Sequence, residues 1–492
     1  MAQPHFLLDK IKQLAEGINF KKTVDRPVVP LSVDLLTIPV VNETAYSRIM
    51  GRKFNYWNEI CISGAFYDDP DILKLEEKYI NEAFQRDADF LNEKANLAEE
   101  LGAKLIKESQ KFTQILPHKL SRVELSQVFE NFLASMIDFV PFFTFIISSG
   151  NLLERVITNR ILNSVKNEQK AQEITIKITC PSRPNQHFCE EIEFLELASV
   201  FSCGDRNDEL LNRHLSKYAH MGFREEGCNF WEKTDLLNKL NKIKNPTKKL
   251  EQVLENKQKM KEETDRVLRS MAVSKILEKL IKIARRYVWL RTYRSDIYNQ
   301  AFSTVVQYLD FFLQQEGYKK HECLLFSVDD LITGKYPNSD VMAARKKAFA
   351  AICINDQLYH LSGNGALEFK KFLDDQDKLG TRIKGTVANR PTNLIKGLVR
   401  VVLNTAQLSK VKEGEIIVAT MTTPNFVSAM KKASGFITDE GGILCHASIL
   451  SREMNKPCIV GTGNATKILR DGDLIIANLE TGEVFRVKNE QV

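Results

Sequence analysis

Apolar residues recur at steps of three and four through most of the first 330 positions. In KKLEQVLENKQKMKEETDRVLRSM the series Leu250, Val253, Leu254, Met260, Thr264, Val267, Leu268 and Met271 falls on one helical face, with the charges on the solvated one. The same texture predicts helices over about 70–114, 120–149, 152–173 and 273–315. Asp69-Pro70 and Asn245-Pro246 read as helix starts, with Asp or Asn as N-cap and proline in the first turn. Short extended pieces are expected at VVPLSVDLLTIPVV and LLFSV.

Near residue 383 the pattern changes. GLVRVVLN, GEIIVATM, GFITD, PCIVGTG, DLIIANLE and EVFRVK are short β-branched runs punctuated by Gly, Asp and Asn, and read as strands. Two helical pieces, 424–433 and 447–453, sit among them, so residues 383–492 are expected to form a compact α/β domain. The fold class is therefore multidomain: a large, mostly α-helical region over 1–382, followed by a C-terminal α/β domain. Glycine use marks the same change, since nine of the 23 glycines lie before residue 331 and fourteen after it.

Composition narrows the function less than the fold. A net charge of +6 over 492 residues, with Lys and Arg spread throughout, argues against a nucleic-acid partner. The N-terminus lacks the features of a secretory signal. The most apolar run, FVPFFTFIISS, holds a proline and is too short to span a bilayer, so it reads as buried core and no membrane partner is expected. Nine cysteines without a CxxC pair read as reduced thiols of a cytoplasmic protein.

One of the eight histidines is placed where chemistry is possible. In TDEGGILCHASILSRE, Gly441-Gly442 give the backbone freedom for close approach to a ligand, and His446 opens the helix that follows. The first N–H groups of a helix lack internal partners and, with the helix dipole, favour an anion. A neutral imidazole there is suited to a phosphoryl group. A histidine that merely starts a helix is the alternative. Six of the other histidines, His118, His187, His214, His220, His321 and His360, lack metal-site spacing and read as structural, and no metal is expected. The GTG at 461–463 lacks the Gly-Lys-Ser/Thr ending of a phosphate loop and reads as a strand-exit turn.

The run TDEGGILCHASILSREMNKPCIVGTGNAT, with LRDGD beyond it, resembles the phosphohistidine (swivelling, or mobile) domain of the phosphoenolpyruvate-utilising enzymes. That family includes phosphoenolpyruvate synthase and rifampin phosphotransferase. The likeness runs from about Gly385 to Val487, including IIVATMTTPNFVSAMKKASG and GTVANRPTNLIKGLVRVV. It implies that His446 is phosphorylated and that its domain swings between a donor and an acceptor site. Thr438, Gly441, Gly442 and Arg452 become phosphate-binding candidates. For Thr438 the alternative is a bond within the loop, and for Arg452 with Glu453 a salt-bridged exposed turn. Leu444 stands where the dikinases and synthases carry a regulatory threonine, which precludes control by phosphorylation there. Cys445 reads as packing.

Residues 20–380 resemble, more diffusely, the central helical region of rifampin phosphotransferase-like proteins. The resemblance implies acceptor-side roles for Arg291 and Arg294, three apart on one helix face. The alternative is that Arg285, Arg286, Arg291 and Arg294 make ordinary salt bridges. Phe139, Phe142, Phe143, Trp231, Trp289 and Tyr293 line an acceptor pocket or are plain core. Neither an ATP-grasp module nor a C-terminal barrel is expected in the chain. A separate ATP-grasp nucleotide-binding protein would then charge His446, with Mg²⁺ and ATP held by that partner and no cofactor bound directly here. The phosphoryl group would pass to a small-molecule acceptor. A non-catalytic binding or regulatory protein, and a carrier charged by phosphoenolpyruvate through a separate barrel protein, are the alternatives.

Overall fold

The computed structural model describes the whole chain except residues 1–3, 17, 19, 26–27, 55–57, 88, 115–119, 182, 205–206, 223–229, 272, 356, 377–382, 444 and 488–492. His118 and Leu444 therefore lie outside the described residues. The chain forms two compact units rather than dividing once at residue 383. One takes in Met1–Pro27, Asn58–Ile72 and Ala348–Val492, and the other Val28–Trp57 and Leu73–Lys347.

The first unit holds two sheets. Strands β1 (Lys21–Asp25), β2 (Asn58–Ile62), β3 (Ala65–Asp68), β4 (Phe349–Ile354) and β5 (Gln357–Ser362) form an antiparallel sheet in the order β1-β3-β2-β4-β5. Helices Pro4–Ala15 and Asn364–Gln376 contribute Leu8, Ile11, Phe369 and Leu373 to its core, against Ile60, Ile62, Ile352 and Ile354. Sequence periodicity did not reveal these strands. β2 and β4 are buried at every position, so they show no alternation, and such a short apolar run cannot be told from buried helix by pattern alone.

The second sheet comprises β6 (Ile383–Lys384), β7 (Thr386–Asn389), β8 (Leu394–Val402), β9 (Ile416–Ala419), β10 (Gly435–Thr438), β11 (Cys458–Val460), β12 (Leu474–Asn478) and β13 (Glu483–Arg486). Their order is β6-β13-β12-β8-β9-β10-β11-β7. β8, β9, β10 and β11 run parallel, and the outer strands are antiparallel. The parallel centre is covered on both sides, which is why β9 and β10 read as unbroken apolar runs. Ile417, Ala419 and Phe436 face the helices Val427–Lys432 and His446–Glu453, while Ile416, Val418 and Ile437 face the other side with Ala465 and Ile475. The strands and helices expected after residue 383 are all present, within a few residues at their ends.

The second unit is helical. Its 41-residue helix Lys275–Gln315 packs against Phe90–Gln114 and Phe142–Val165, burying Phe112, Phe142, Phe145, Tyr287 and Tyr298. Among the described residues one helical stretch, Arg122–Val165, is long and apolar enough to cross a membrane, and 61% of its most apolar window is buried inside the protein.

Two local expectations need correction. The segment expected to be extended at 28–41 is the helix Pro30–Val40, started by Pro30 at its first turn and buried almost throughout. LLFSV lies across a 3-10 turn at Glu322–Leu325 and the start of helix Val328–Thr333. In helix Pro246–Ser270, Leu250, Val253, Thr264, Val267 and Leu268 of the stripe are half-buried, while Leu254 and Met260 are exposed.

Candidate functional site

Three connections leave the carboxyl ends of β9, β10 and β11 side by side, and backbone bonds stitch them together. Asp439 N–H donates to Ala419 O at 3.0 Å and Glu440 N–H to Thr420 O at 2.8 Å. Thr462 N–H donates to Thr438 O at 3.0 Å and Gly463 N–H to Asp439 O at 2.9 Å. The end of an open parallel sheet where strand carboxyl termini gather is where α/β folds bind ligands.

His446 is the first residue of the helix His446–Glu453, preceded by Cys445 in an extended N-cap conformation without a side-chain cap. Its ring is fixed from the β9 connection, with Thr422 Oγ1 2.9 Å from His446 Nδ1. Thr422 is buried, and fixing one ring nitrogen sets the orientation and tautomer of the other. Sequence reasoning missed Thr422. It lies within MTTP, where only its type and its place just beyond a strand end could have drawn attention.

The glycine loop is held by other groups. Gly441 has φ +108°, and a Cβ there would stand 2.7 Å from Cys445 Sγ. Gly442 O accepts from Cys445 N–H at 3.0 Å and from Ser448 Oγ at 2.8 Å. Thr438, fully buried, donates from Oγ1 to Glu440 O at 2.6 Å, which makes it a loop-former. Arg452 donates from Nη2 to Ile443 O at 2.6 Å and from Nε to Ala388 O at 3.1 Å, joining the glycine loop to β7. Asn389 of β7 donates from Nδ2 to Ser451 O at 3.0 Å, at the far end of the same helix. Cys445 packs in the core cluster of Ala447 and Val460. In the GTG turn, Gly461 and Gly463 both have φ near +70°.

The structure thus gathers His446, Thr438, Gly441, Gly442 and Arg452 at one end of the sheet. Arg291 and Arg294 belong to the helical unit. Arg291 donates from Nη2 to Asn151 Oδ1 at 2.7 Å and lies against Gly150, where a Cβ would come within 2.8 Å of Nη2. Arg294 donates from Nη1 to Phe143 O at 2.5 Å and sits over the Phe143 ring. Both tie helix Lys275–Gln315 to Phe142–Val165. Arg285 bonds Ile178 O at 2.8 Å, and Arg286 forms an ion pair with Glu99 at 2.6 Å. Phe139 and Phe142 are core, while Phe143 and Trp231 are half-buried. Trp289 stacks on Tyr293 with ring centroids 4.6 Å apart. Among the described residues no group of three or more His, Cys, Asp or Glu is arranged to hold a metal ion.

Residues 411–482 match the family model of the PEP-utilising enzyme, mobile domain. The C-terminal segment is a mobile domain of this family. A probable phosphoenolpyruvate synthase of Archaeoglobus fulgidus is 47% identical to it over 98 residues, 20% of this chain and 13% of that protein. One of Methanothermobacter thermautotrophicus is 46% identical over 103 residues, 21% of this chain and 15% of that protein. The chain thus spans no more than 15% of the length of these relatives, and the likeness is confined to the mobile domain. A solved structure of Thermococcus kodakaraensis aconitase X covers 22% of this chain and is itself covered completely, at 16% identity and a TM-score of 0.18. A solution structure of Enzyme I covers 76% of this chain and 82% of its own, at 14% identity and a TM-score of 0.17. At those scores neither bears on the fold.

Proposed function

We propose that the chain is a phosphotransferase component in which His446 carries a phosphoryl group from a donor to a small-molecule acceptor held by the helical unit. The observation that carries the reading is the pairing of His446 with Thr422 at the head of a helix within a mobile domain. With Nδ1–H donated to Thr422 Oγ1, the Nε2 lone pair is the nucleophile. It attacks the terminal phosphorus of the donor, an N–P bond forms, and the donor's P–O bond breaks with the electron pair leaving on oxygen. In the second half an acceptor hydroxyl attacks phosphorus, loses its proton, and the N–P bond electrons return to Nε2. Positioning and charge stabilisation are most of what the protein must supply. The glycine loop and the first turn of the helix furnish it around His446.

In this reading an ATP-grasp nucleotide-binding protein is the donor's host and holds Mg²⁺ and ATP. Arg291 and Arg294 stand on the acceptor side, and a cytoplasmic location follows from the nucleotide supply. A second reading has phosphoenolpyruvate as the donor through a separate barrel protein.

The test mixes the protein with radiolabelled ATP and Mg²⁺ plus a candidate ATP-grasp partner, or with radiolabelled phosphoenolpyruvate plus a candidate barrel protein. Acid-labile, base-stable label on the wild type and none on His446→Ala supports the carrier, and the productive mixture names the donor. Failure of every donor to label the wild type rejects it.

A further inference from the structure

Helices Gln186–Ser202 and Asp208–Tyr218 pack on each other in the helical unit and bring a carboxylate to a histidine. Glu190 Oε1 of the first lies 3.4 Å from His214 Nε2 of the second. His214 is 5% exposed, and Tyr218, one turn further along the same helix, is 1% exposed. Their ring centroids stand 5.0 Å apart, and the Phe194 ring of the first helix comes within 6.2 Å of His214.

Buried polar atoms are almost always hydrogen-bonded, yet neither His214 Nε2 nor Tyr218 Oη has a hydrogen bond among the described residues. The Glu190 carboxylate is close to Nε2 but outside hydrogen-bond geometry. Lys217 and Glu193, ion-paired at 2.5 Å, are near enough to act on the Tyr218 hydroxyl without bonding it. Two orphaned polar atoms on adjacent turns of one helix are what a plain core avoids, since each carries its desolvation cost uncompensated.

Their chemistry selects the group that satisfies them. The Tyr218 hydroxyl, pushed up to about 12 chiefly by burial, stays protonated at neutral pH and can donate. A neutral His214 with its proton on Nδ1 offers the Nε2 lone pair as acceptor. A hydroxyl accepts from the one and donates to the other at the same time. An alcohol brings that hydroxyl on a carbon body, for which the Phe194 and Tyr218 rings are an apolar wall.

We infer that the hydroxyl of an acceptor alcohol binds between His214 Nε2 and Tyr218 Oη, and that His214 is the base that takes its proton. The base role rests on the carrier reading above, whereas binding of the alcohol does not. In the transfer the alcohol O–H bond breaks, its electron pair forms the new O–P bond, and the proton goes to His214 Nε2. The P–N bond to His446 breaks with its electrons returning to that ring. Glu190, 3.4 Å from Nε2, then stabilises the imidazolium, as the third group does behind other histidine bases. The other charges around the pair are Glu193 and Lys217, and Lys239 of helix Lys233–Lys242, on which Glu190 acts.

Two measurements test it. In the first, ring-nitrogen NMR of the full chain carrying His446→Ala follows His214 as benzyl alcohol or glycerol is added. A saturable shift of the His214 signals with either alcohol is expected, with the affinity about tenfold or more weaker in Tyr218→Phe, which keeps the ring. No shift with either alcohol, or an affinity unchanged in Tyr218→Phe, overturns the site. In the second, the wild type is charged with phosphoramidate, which phosphorylates imidazole without a protein partner, and is then given the same alcohols. Phosphate ester should form, about 100-fold or more slowly in His214→Gln. The wild-type rate should rise with pH as an imidazole loses its proton, and that rise should be absent from His214→Gln. A His214→Gln variant with the wild-type rate and pH profile overturns the base role. Failure to charge His446 would instead reject the carrier reading, and the binding measurement would still decide the site.

Discussion

The hydroxyl of Thr422 lies 2.9 Å from Nδ1 of His446, across 24 positions of sequence. The contact ties the connection after β9 to the helix after β10, so the imidazole is held from the neighbouring strand. If Thr422 accepts from Nδ1–H, the ring is pinned with its lone pair on Nε2. Nitrogen NMR of ring-labelled protein should show that tautomer as the dominant neutral form. In Thr422→Val the two tautomers should mix, and the phosphorylation rate should fall about 10- to 100-fold. Thr422→Ser should restore both. An unchanged tautomer ratio in the valine variant would mean the contact does not orient the ring.

Gly441→Ala adds a Cβ at φ +108° and within 2.7 Å of Cys445 Sγ. Two costs combine, backbone strain and overlap, for a loss of about 1–3 kcal/mol. Cys445→Ala in the same chain should recover the overlap and leave the backbone part. Chemical denaturation of the single and double variants separates the two, and equal stability of Gly441→Ala and wild type would refute the strain.

Arg452 is expected to act through the loop it holds. Arg452→Met removes donors from Ile443 O and Ala388 O, and the loss expected is about 1.5–3 kcal/mol, visible as a lower Tm. Arg452→Lys should recover little, because an ammonium cannot span both carbonyls as the guanidinium fork does. A variant with wild-type stability that no longer accepts phosphate would return Arg452 to the phosphate-binding role.

Two carboxyl groups should move stability with pH in opposite directions. Arg400 makes a two-pronged contact with Glu415, at 2.7 and 3.0 Å, and holds its carboxyl below the ordinary glutamate value. A lowered carboxylate contributes stability above its unfolded pKa, and that stability is lost as pH falls through the folded one. Glu415→Gln should therefore flatten the acid limb of the stability curve below about pH 4.5. Asp296 behaves oppositely. Burial pushes its carboxyl up to about 7, partly offset by a bond from the Gln186 backbone. The folded protein then binds more protons than the unfolded chain between the ordinary aspartate value and about pH 7, so stability falls as pH rises through that range. Asp296→Asn should be more stable than wild type at pH 8 and no more stable at pH 4. Denaturant midpoints across pH check both.

Much of the mobile domain was legible because its chemistry and its pattern are local. His446, the glycine pair and the SRE turn lie within one short run, and each β-branched strand is bounded by Gly, Asp or Asn. Thr422 was not, because its partner lies on a different connection. Thr438 was assigned to either the loop or the phosphate, and its burial selects the loop. At 28–41 the Pro-Val-rich composition suggested extension, yet Pro30 sits where a proline costs a helix nothing. In helix Pro246–Ser270 the period marked the right face, which is half-buried at most of its positions, but periodicity alone does not say what covers a face.

The five-stranded sheet carries a consequence for how the chain is made. Its central pair, β2 and β4, is joined by residues as remote as Asn58 and Ile354, 296 positions apart (354 − 58). Contacts of such separation form slowly, because a long loop must close before any pairing energy returns. During synthesis β2 and β3 can form their hairpin early, but one side of β2 stays unpaired until β4 emerges from the ribosome. Until then an apolar strand edge is exposed, and the nascent protein is most open to chaperone capture in that interval.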